Sequence, residues 1–473
     1  MRVVKNYLYN ASYQVFILLV PLITTPYLSR VLGPKGVGIN SYTNSIIQYF
    51  ILLGGIGVNL YGNRQIAYVR DNKYKMTQTF YEIFIMRIIA VIIAYMAFIL
   101  FLSTTNHYHA YYWAQSVSLI AVALDISWFF MGVENFVVTV VRNFMVKIIT
   151  LILIFSLVKT DQDLTTYIMI LSLSLLLGNL TLFPSLRKYV GHPNFNDMHI
   201  VHHIMPSIVL FVPQIAIQIY SVVNKTMLGI MVSVQAAGYF EQSDKIVKMI
   251  LAIVTATGTV MLPHVANAYA NGEHKKTRLY LYKSFSFVTA VSVPMFFGLM
   301  AVSSKFVPLF FTSRFSAVTP LMIIESIVIL LIAWSNVIGA QYLLPTQQVH
   351  FYTMSVILGA IINIIVNIPL IMFLGAVGTA IATVLSEIAV TGYQLLSIRK
   401  QVNYKLLFTD TFKYLTAGFL MFVVTNLIDR NTSSTWLMLI IEVLLGITIY
   451  TLLLLLFRVK MVGETIQMIK NRK

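Results

Sequence analysis

Apolar residues in this chain come in long continuous runs separated by short polar breaks, and they do not alternate at every second position. Runs of about 18 to 25 residues are long enough to cross a hydrocarbon core of about 30 Å as helices. Fourteen runs are predicted to span, near 9–29, 39–62, 78–102, 110–131, 136–158, 164–184, 204–224, 235–262, 284–303, 318–343, 351–373, 376–397, 412–428 and 436–457. Their continuity excludes a transmembrane β-barrel, whose strands alternate. The predicted fold class is an all-α polytopic membrane protein with 14 transmembrane helices. The connecting segments are too short to hold a soluble domain.

Composition agrees. The 473 residues are 58% hydrophobic and only 10% charged, where a soluble domain carries about 25% charged residues. The net charge of +17 raises the question of a nucleic-acid partner, and its distribution answers it. With the N-terminus in the cytoplasm, the inner loops collect Arg2, Lys5, Arg64, Arg70, Lys73, Lys75, Arg187, Lys188, Lys275, Lys276, Arg278, Lys283, Arg399, Lys400, Lys405, Lys413 and the basic residues after 457. The outer loops hold Arg30, Lys35, Lys159, Lys225, Lys305, Arg314 and Arg430. This bias is the positive-inside signature and predicts a multi-pass protein of the cytoplasmic membrane with both termini inside. It accounts for most of the charge with no nucleic acid. There are no cysteines, so thiolate metal sites and cysteine nucleophiles are excluded. No cofactor is expected. Neither a phosphate-binding glycine loop, HExxH nor GxSxG occurs, which disfavours an ATPase or a hydrolase of those types. No cleavable signal peptide is expected, because the first apolar run lacks a small-residue cleavage site.

A displacement of 200 residues lays GVGINSYTNSIIQYF (36–50) on GYFEQSDKIVKMI (238–250). Gly38 then meets Gly238, and the polar positions Ser41, Asn44, Ser45 and Gln48 meet Glu241, Asp244, Lys245 and Lys248. Leu32-Gly33 also answers Leu228-Gly229, and Ala67-Tyr68 answers Ala268-Tyr269. Two six-helix lobes follow, 1–190 and 191–400, with two appended helices in 401–473. Both halves start on the same side, so the repeat is parallel, with a pseudo-twofold axis along the membrane normal. The spacing i, i+3, i+4, i+7 puts each polar set on one helical face. Charges inside a span face the bundle interior or a hydrated cavity, because lipid exposure costs at least about 2.5–3.5 kcal/mol. Two readings are open. The faces line a cavity, or Glu241–Lys245 and Asp244–Lys248 pair internally as i,i+4 neighbours.

The stretches SRVLGPKGVGINSYTNSI (29–46), YGNRQIA (61–67), DISWFFMGVENF (125–136), VVRNFMVKI (140–148) and NIIVNIPLIMFLGAVGTAIATVLSE (363–387) resemble the Wzx-type polysaccharide flippases. These belong to the multidrug/oligosaccharidyl-lipid/polysaccharide superfamily, together with the MATE exporters. The resemblance runs from about residue 5 to 400 and implies a MATE-like two-lobed transporter. Its substrate would be an undecaprenyl-pyrophosphate-linked oligosaccharide, moved from the inner to the outer leaflet by alternating access. Other polysaccharide-assembly membrane proteins would be its neighbours.

Such a head group needs a wet, partly cationic path, with Arg or Lys on the pyrophosphate. The substrate-binding candidates are Arg142, Lys147, Lys245, Lys248, Arg30, Arg64 and Lys225. Polar lining is expected from Asn44, Gln48, Glu241, Asp244, Asn363 and Asn367. Asp125 and Glu387 are candidates for a coupling ion, H⁺ or Na⁺. Each has a plainer alternative. Asp125 and Arg142 lie at similar depths on adjacent runs and could be a buried ion pair. Arg30 and Lys225 could snorkel to headgroups. Arg64 could only fix topology, and Asn363 and Asn367 could bond between helices. Glu325, Glu387 and Glu442 are expected to be solvated near helix ends. The histidines at 192, 199, 202 and 203 are expected to form a surface, and Trp113, Trp128, Trp334 and Trp436 an interface belt. Two rival readings are kept, a MATE-like drug antiporter and a membrane-embedded glycosyltransferase or polymerase. Cavity cations count against the first, and short outer loops against the second.

Overall fold

The structure, a computed structural model, describes residues 2–460. The side chains of 2–18, 212–214, 216, 217, 257, 259, 260 and 431 lie outside the description, as do residues 1 and 461–473. The basic side chains read at Arg2, Lys5 and beyond 460 therefore fall outside it.

Two compact units result, Met1–Gly229 and Ile230–Lys473. The first holds α1 (Arg2–Gly55), α2 (Val58–Val69), α3 (Lys73–Thr104), α4 (His109–Ala123), α5 (Ser127–Gly132), α6 (Phe136–Leu157), α7 (Leu164–Leu180), α8 (Phe183–Leu186) and α9 (Ile204–Met231). The second holds α10 (Val234–Ala270), α11 (His274–Phe310), α12 (Val318–Ser335), α13 (Val349–Leu374), α14 (Ala376–Ile398), α15 (Tyr404–Leu407), α16 (Thr411–Asn431) and α17 (Trp436–Leu456). A π-helical turn, Asn336–Leu343, continues α12. The described residues contain no strand. Among the described residues, eleven helices are long and apolar enough to cross a membrane, or up to twelve if a bent pair in α10 is one span. Every predicted run lies largely on helix, but among the described residues the helices meeting this criterion do not reach fourteen. Leu19–Val69 takes in two predicted runs, and α9 includes side chains outside the description.

The break between those two runs has a local cause. Gly33 has φ 62° and ψ −178°, a conformation open essentially to glycine alone. Pro34 then starts the next helix, its missing N–H costing nothing at the first helical position. In the second half Ser233 does the same work by capping α10, its hydroxyl accepting from Ala236 N at 3.1 Å. The helix starts are thus 200 apart, 34 and 234. Further on, the first half breaks at Ile56 and Gly57, both with positive φ, and α10 bends by 44° between Ala256 and Met261. The following helices start at Lys73 and His274. Local structure therefore repeats at the offset read from sequence.

Aromatic packing fills the first unit. Phe80, Trp128, Phe129, Tyr61 and Ile66 form one buried cluster on α2, α3 and α5. Trp128 is thus a core residue and no part of an interface belt. In the second unit Val293, Leu330, Tyr414, Ala417, Met421 and Tyr450 dock α16 and α17 on α11 and α12. The outward faces stay apolar, as at Phe373, 84% exposed, which suits contact with lipid.

Helices α13 and α14 approach so closely that a Cβ on Gly378 would lie 2.0 Å from the Leu370 carbonyl oxygen. Backbone cannot yield as a side-chain tip can. Gly378→Ala is expected to lower stability by about 1–3 kcal/mol through overpacking. Gly392→Ala, with nothing within 4 Å of its Cβ, is the neutral control. Thermal unfolding of the two purified variants in detergent checks this.

Candidate functional site

On α10 the predicted charged face is present. Asp244 and Lys248 form an ion pair at 2.7 Å, so the internal pairing read from the i,i+4 spacing is made there. The pair does not remove the face from solvent, because the Lys248 side chain is 53% exposed. Glu241 and Lys245 are half-buried. One residue off this face, Ser243 donates to the carboxylate of Glu325 on α12. Glu325 is buried, and so are Glu387 and Glu442. The expectation of solvated helix-end carboxylates is therefore corrected for all three. Their apolar neighbours in sequence hid the helix–helix contacts that cover them.

The matching face of α1 is split. Ser41 and Ser45 are buried, while Asn44 and Gln48 are half-buried. Ser45 bonds Thr226 on α9 at 2.9 Å, and Tyr49 donates to the same Thr226 hydroxyl at 3.1 Å. Beside them Gln115 on α4 donates to Thr43 at 2.9 Å. Within the neutral stripe Ser45 thus ties α1 to α9.

Asp125 and Arg142 take separate partners. Arg87 on α3, buried at 2% exposure, donates to Asn59 Oδ1 at 3.0 Å and to the Asp125 carbonyl at 2.7 Å. Its other terminal nitrogen lies 3.7 Å from the Asp125 carboxylate. Asp125 also accepts from Ser127 N at 3.0 Å and so starts α5. Arg142 instead donates to Asn179 Oδ1 on α7 at 2.7 Å, and Asn179 donates to the Ala121 carbonyl at 2.7 Å. Lys147, about 140° further around α6 by helix geometry, is exposed. Sequence reading missed Arg87 as a partner, although a lone arginine in an apolar run is itself a signal.

Asn363 and Asn367 on α13 are fully buried, as is Thr379 on α14. Both polar atoms of the Asn363 amide and the Thr379 hydroxyl have no protein hydrogen-bond partner. The two helices touch at Gly359 with Val390 and at Gly378 with Leu370, so these neutral groups lie along the seam between those contacts. Arg30 and Arg64 are exposed, and Lys225 is half-buried. Arg30 donates to its own helix at the Pro26 carbonyl, 2.9 Å away.

Two polar clusters were not foreseen. Lys305, assigned from sequence to an outer loop, is buried near the end of α11. It donates to Glu442 at 2.5 Å and Thr432 at 2.6 Å, with Asp429 at 3.6 Å. His203, expected on a surface, is buried between Tyr61 (2.7 Å) and Glu82 (2.8 Å). Glu82 also accepts from His199 N, and Gln78 and Thr77 accept from Asn194 N and Gly191 N. The segment before α9 is thereby fastened to the first turns of α3.

With this geometry in place, the comparisons are informative. Residues 3–269 match the family described as polysaccharide biosynthesis protein. A protein of Escherichia coli (strain K12) named for O-antigen transport is 24% identical over 85% of this chain and 97% of its own length. Among solved structures, the lipid II flippase MurJ in an inward closed conformation is similar with a TM-score of 0.76. It is 17% identical and covers 96% of this chain and 100% of the other. An inward-facing MATE family transporter of the MOP superfamily gives 0.61 at 13% identity, covering 83% and 98%. At such identities the likeness establishes a shared MATE-like fold.

Proposed function

The chain belongs to the polysaccharide biosynthesis protein family, and on that premise we propose that it is a flippase for lipid-linked oligosaccharides. The cargo is an undecaprenyl-pyrophosphate-linked repeat unit carried from the inner to the outer leaflet of the cytoplasmic membrane. The observation that carries this reading is Lys248, charged, paired and still 53% exposed midway along an apolar helix. A lysine there is stable only beside water or an anionic ligand, which a pyrophosphate path supplies.

In this reading Asn44, Gln48, Glu241, Asp244, Lys245 and Lys248 contact the passing head group. Arg142 and Lys147 offer cations on α6, Arg64 on the entry side, and Arg30 and Lys225 on the release side. The repeated halves 1–190 and 191–400 alternate access, with both termini cytoplasmic. A coupling cation is served by buried polar groups, Glu387 and the Asn363–Asn367 seam on α13 and α14 foremost. The protein is read as a transporter and not an enzyme.

The shared fold alone suits a drug antiporter equally, so the test must separate the two. The full chain is reconstituted in liposomes with fluorescent polyprenyl-pyrophosphate oligosaccharide, and leaflet exposure is scored with a membrane-impermeant quencher. Movement of the lipid-linked glycan, abolished by Lys248→Met with normal membrane insertion, is expected. Export of organic cations with no glycan movement would reject the proposal.

A further inference from the structure

The second unit carries a cleft apart from the candidate transport residues. It has a volume of about 360 Å³ and is lined by Lys275, Arg278, Leu279, Tyr282, Gln401, Asn403 and Leu406. The walls are the first two turns of α11 and the segment between α14 and α15. Its floor is built by a polar lattice. Gln401 and Gln348 exchange hydrogen bonds at 2.6 and 3.0 Å, and Tyr342 donates to the same Gln401 oxygen at 3.1 Å. Arg278 donates to the Gln401 carbonyl at 3.3 Å. This uses one of five guanidinium N–H donors. Tyr282 accepts from Asn403 N at 2.9 Å, which leaves its own proton to donate.

Charge and greasy rim agree with one kind of ligand. The acids of the two wall segments are already occupied, Glu273 by Lys276 at 2.9 Å and Asp410 by Lys413 at 2.8 Å. Neither lysine is one that lines the cleft. Leu279 and Leu406, about half exposed, flank the basic residues. By the loop-charge orientation this end faces the cytoplasmic leaflet.

The geometry points to a site for the phosphate head group of an anionic phospholipid. The phosphodiester oxygens meet Lys275, Arg278 and the Tyr282 hydroxyl, and the acyl chains lie along Leu279 and Leu406. Basic clefts at helix ends on the cytoplasmic side hold anionic headgroups in this way. Free phosphate shares the polar half of the chemistry but gains nothing from the leucines. The site does not depend on the transported glycan.

Native mass spectrometry of the detergent-purified full chain, titrated with phosphatidylglycerol, tests this. One saturable phosphatidylglycerol adduct is expected that phosphatidylcholine does not form. Lys275→Glu changes an exposed position by two charge units, so binding should weaken about 25-fold, at roughly 5-fold per charge. Arg278→Lys should weaken it less. Lys188→Glu, an exposed position in the other unit, should leave it unchanged and controls for total charge. An unchanged adduct in Lys275→Glu, or equal binding of phosphatidylcholine, overturns the proposal. Displacement by inorganic phosphate at the same concentration overturns the lipid assignment in favour of a soluble anion.

Discussion

Lys305→Ala is expected to destabilise the second unit by about 3–5 kcal/mol, the cost of removing one partner from a buried charge cluster. Lys305 is 3% exposed, and α11, α16 and α17 meet at its ammonium. Glu442 Oε1 lies 2.5 Å away, and Asp429 Oδ1 3.6 Å. Ser304 and Thr432 bond the same carboxylates, at 2.5 and 3.0 Å. Glu442 Oε2 and Asp429 Oδ1 are buried with no hydrogen bond of their own, so the lysine supplies their compensating charge. Truncation leaves two buried carboxylates without that charge, a costly state unless water enters. Thermal unfolding in detergent reads the loss. Lys305→Met combined with Glu442→Gln and Asp429→Asn should recover much of it, since removing all three charges avoids the uncompensated state. A single alanine variant as stable as the parent would reject the cluster as a structural tie.

This cluster marks where sequence reading stops. The apolar runs and the offset of about 200 residues were legible because each is a local property: length sets span, and periodicity sets a face. The backbone conformation of Gly33 was not read. The two bends, at Ile56–Gly57 and after Ala256, fall at the same place in the repeat although their residues differ. Which charge meets which is not local. Lys305 reads as an outer-loop residue because the predicted run ends at 303, yet its partners arrive from helices more than a hundred residues later. The appended helices α16 and α17 show no repeat partner in sequence, and their docking on α11 is set by Tyr414, Tyr450 and this ion cluster.

The site shows the same division. On α10 the sequence left internal pairing open for two i,i+4 pairs, and the Asp244–Lys248 pair is made, because both residues lie within one helix. The neutral face of α1 was read as a single stripe, whereas Ser41 and Ser45 are buried and Asn44 and Gln48 are half-open. The Ser45 hydroxyl is taken up by Thr226 on a neighbouring helix. Histidine spacing at 199, 202 and 203 suggested a solvated surface. The opposing Tyr61 and Glu82, distant in sequence, are what bury His203.

Arg87→Ala is expected to cost about 3–5 kcal/mol as well, and Arg142→Ala distinctly less, about 1–3 kcal/mol for a hydrogen bond to a charged group. The contrast follows from what each guanidinium holds. Arg87 joins three elements at one point, α2 through Asn59, the end of α4 through the Asp125 carbonyl, and α5 through the Asp125 carboxylate. One nitrogen, Nη1, makes both hydrogen bonds, and the other faces the Asp125 carboxylate at 3.7 Å. Asp125→Asn should therefore be milder than Arg87→Ala, since the carbonyl bond survives it. Arg142, only half-buried, is tied by its bond to Asn179. Asn179 keeps its own bond to Ala121 when the arginine is removed. If unfolding measurements show this order, a transport defect in Arg142→Ala reports on the cargo path, because the protein carrying it is still folded. Should Arg142→Ala prove as destabilising as Arg87→Ala, its transport phenotype would carry no information about the substrate, and Lys248 and Lys147 would be the cations left to probe.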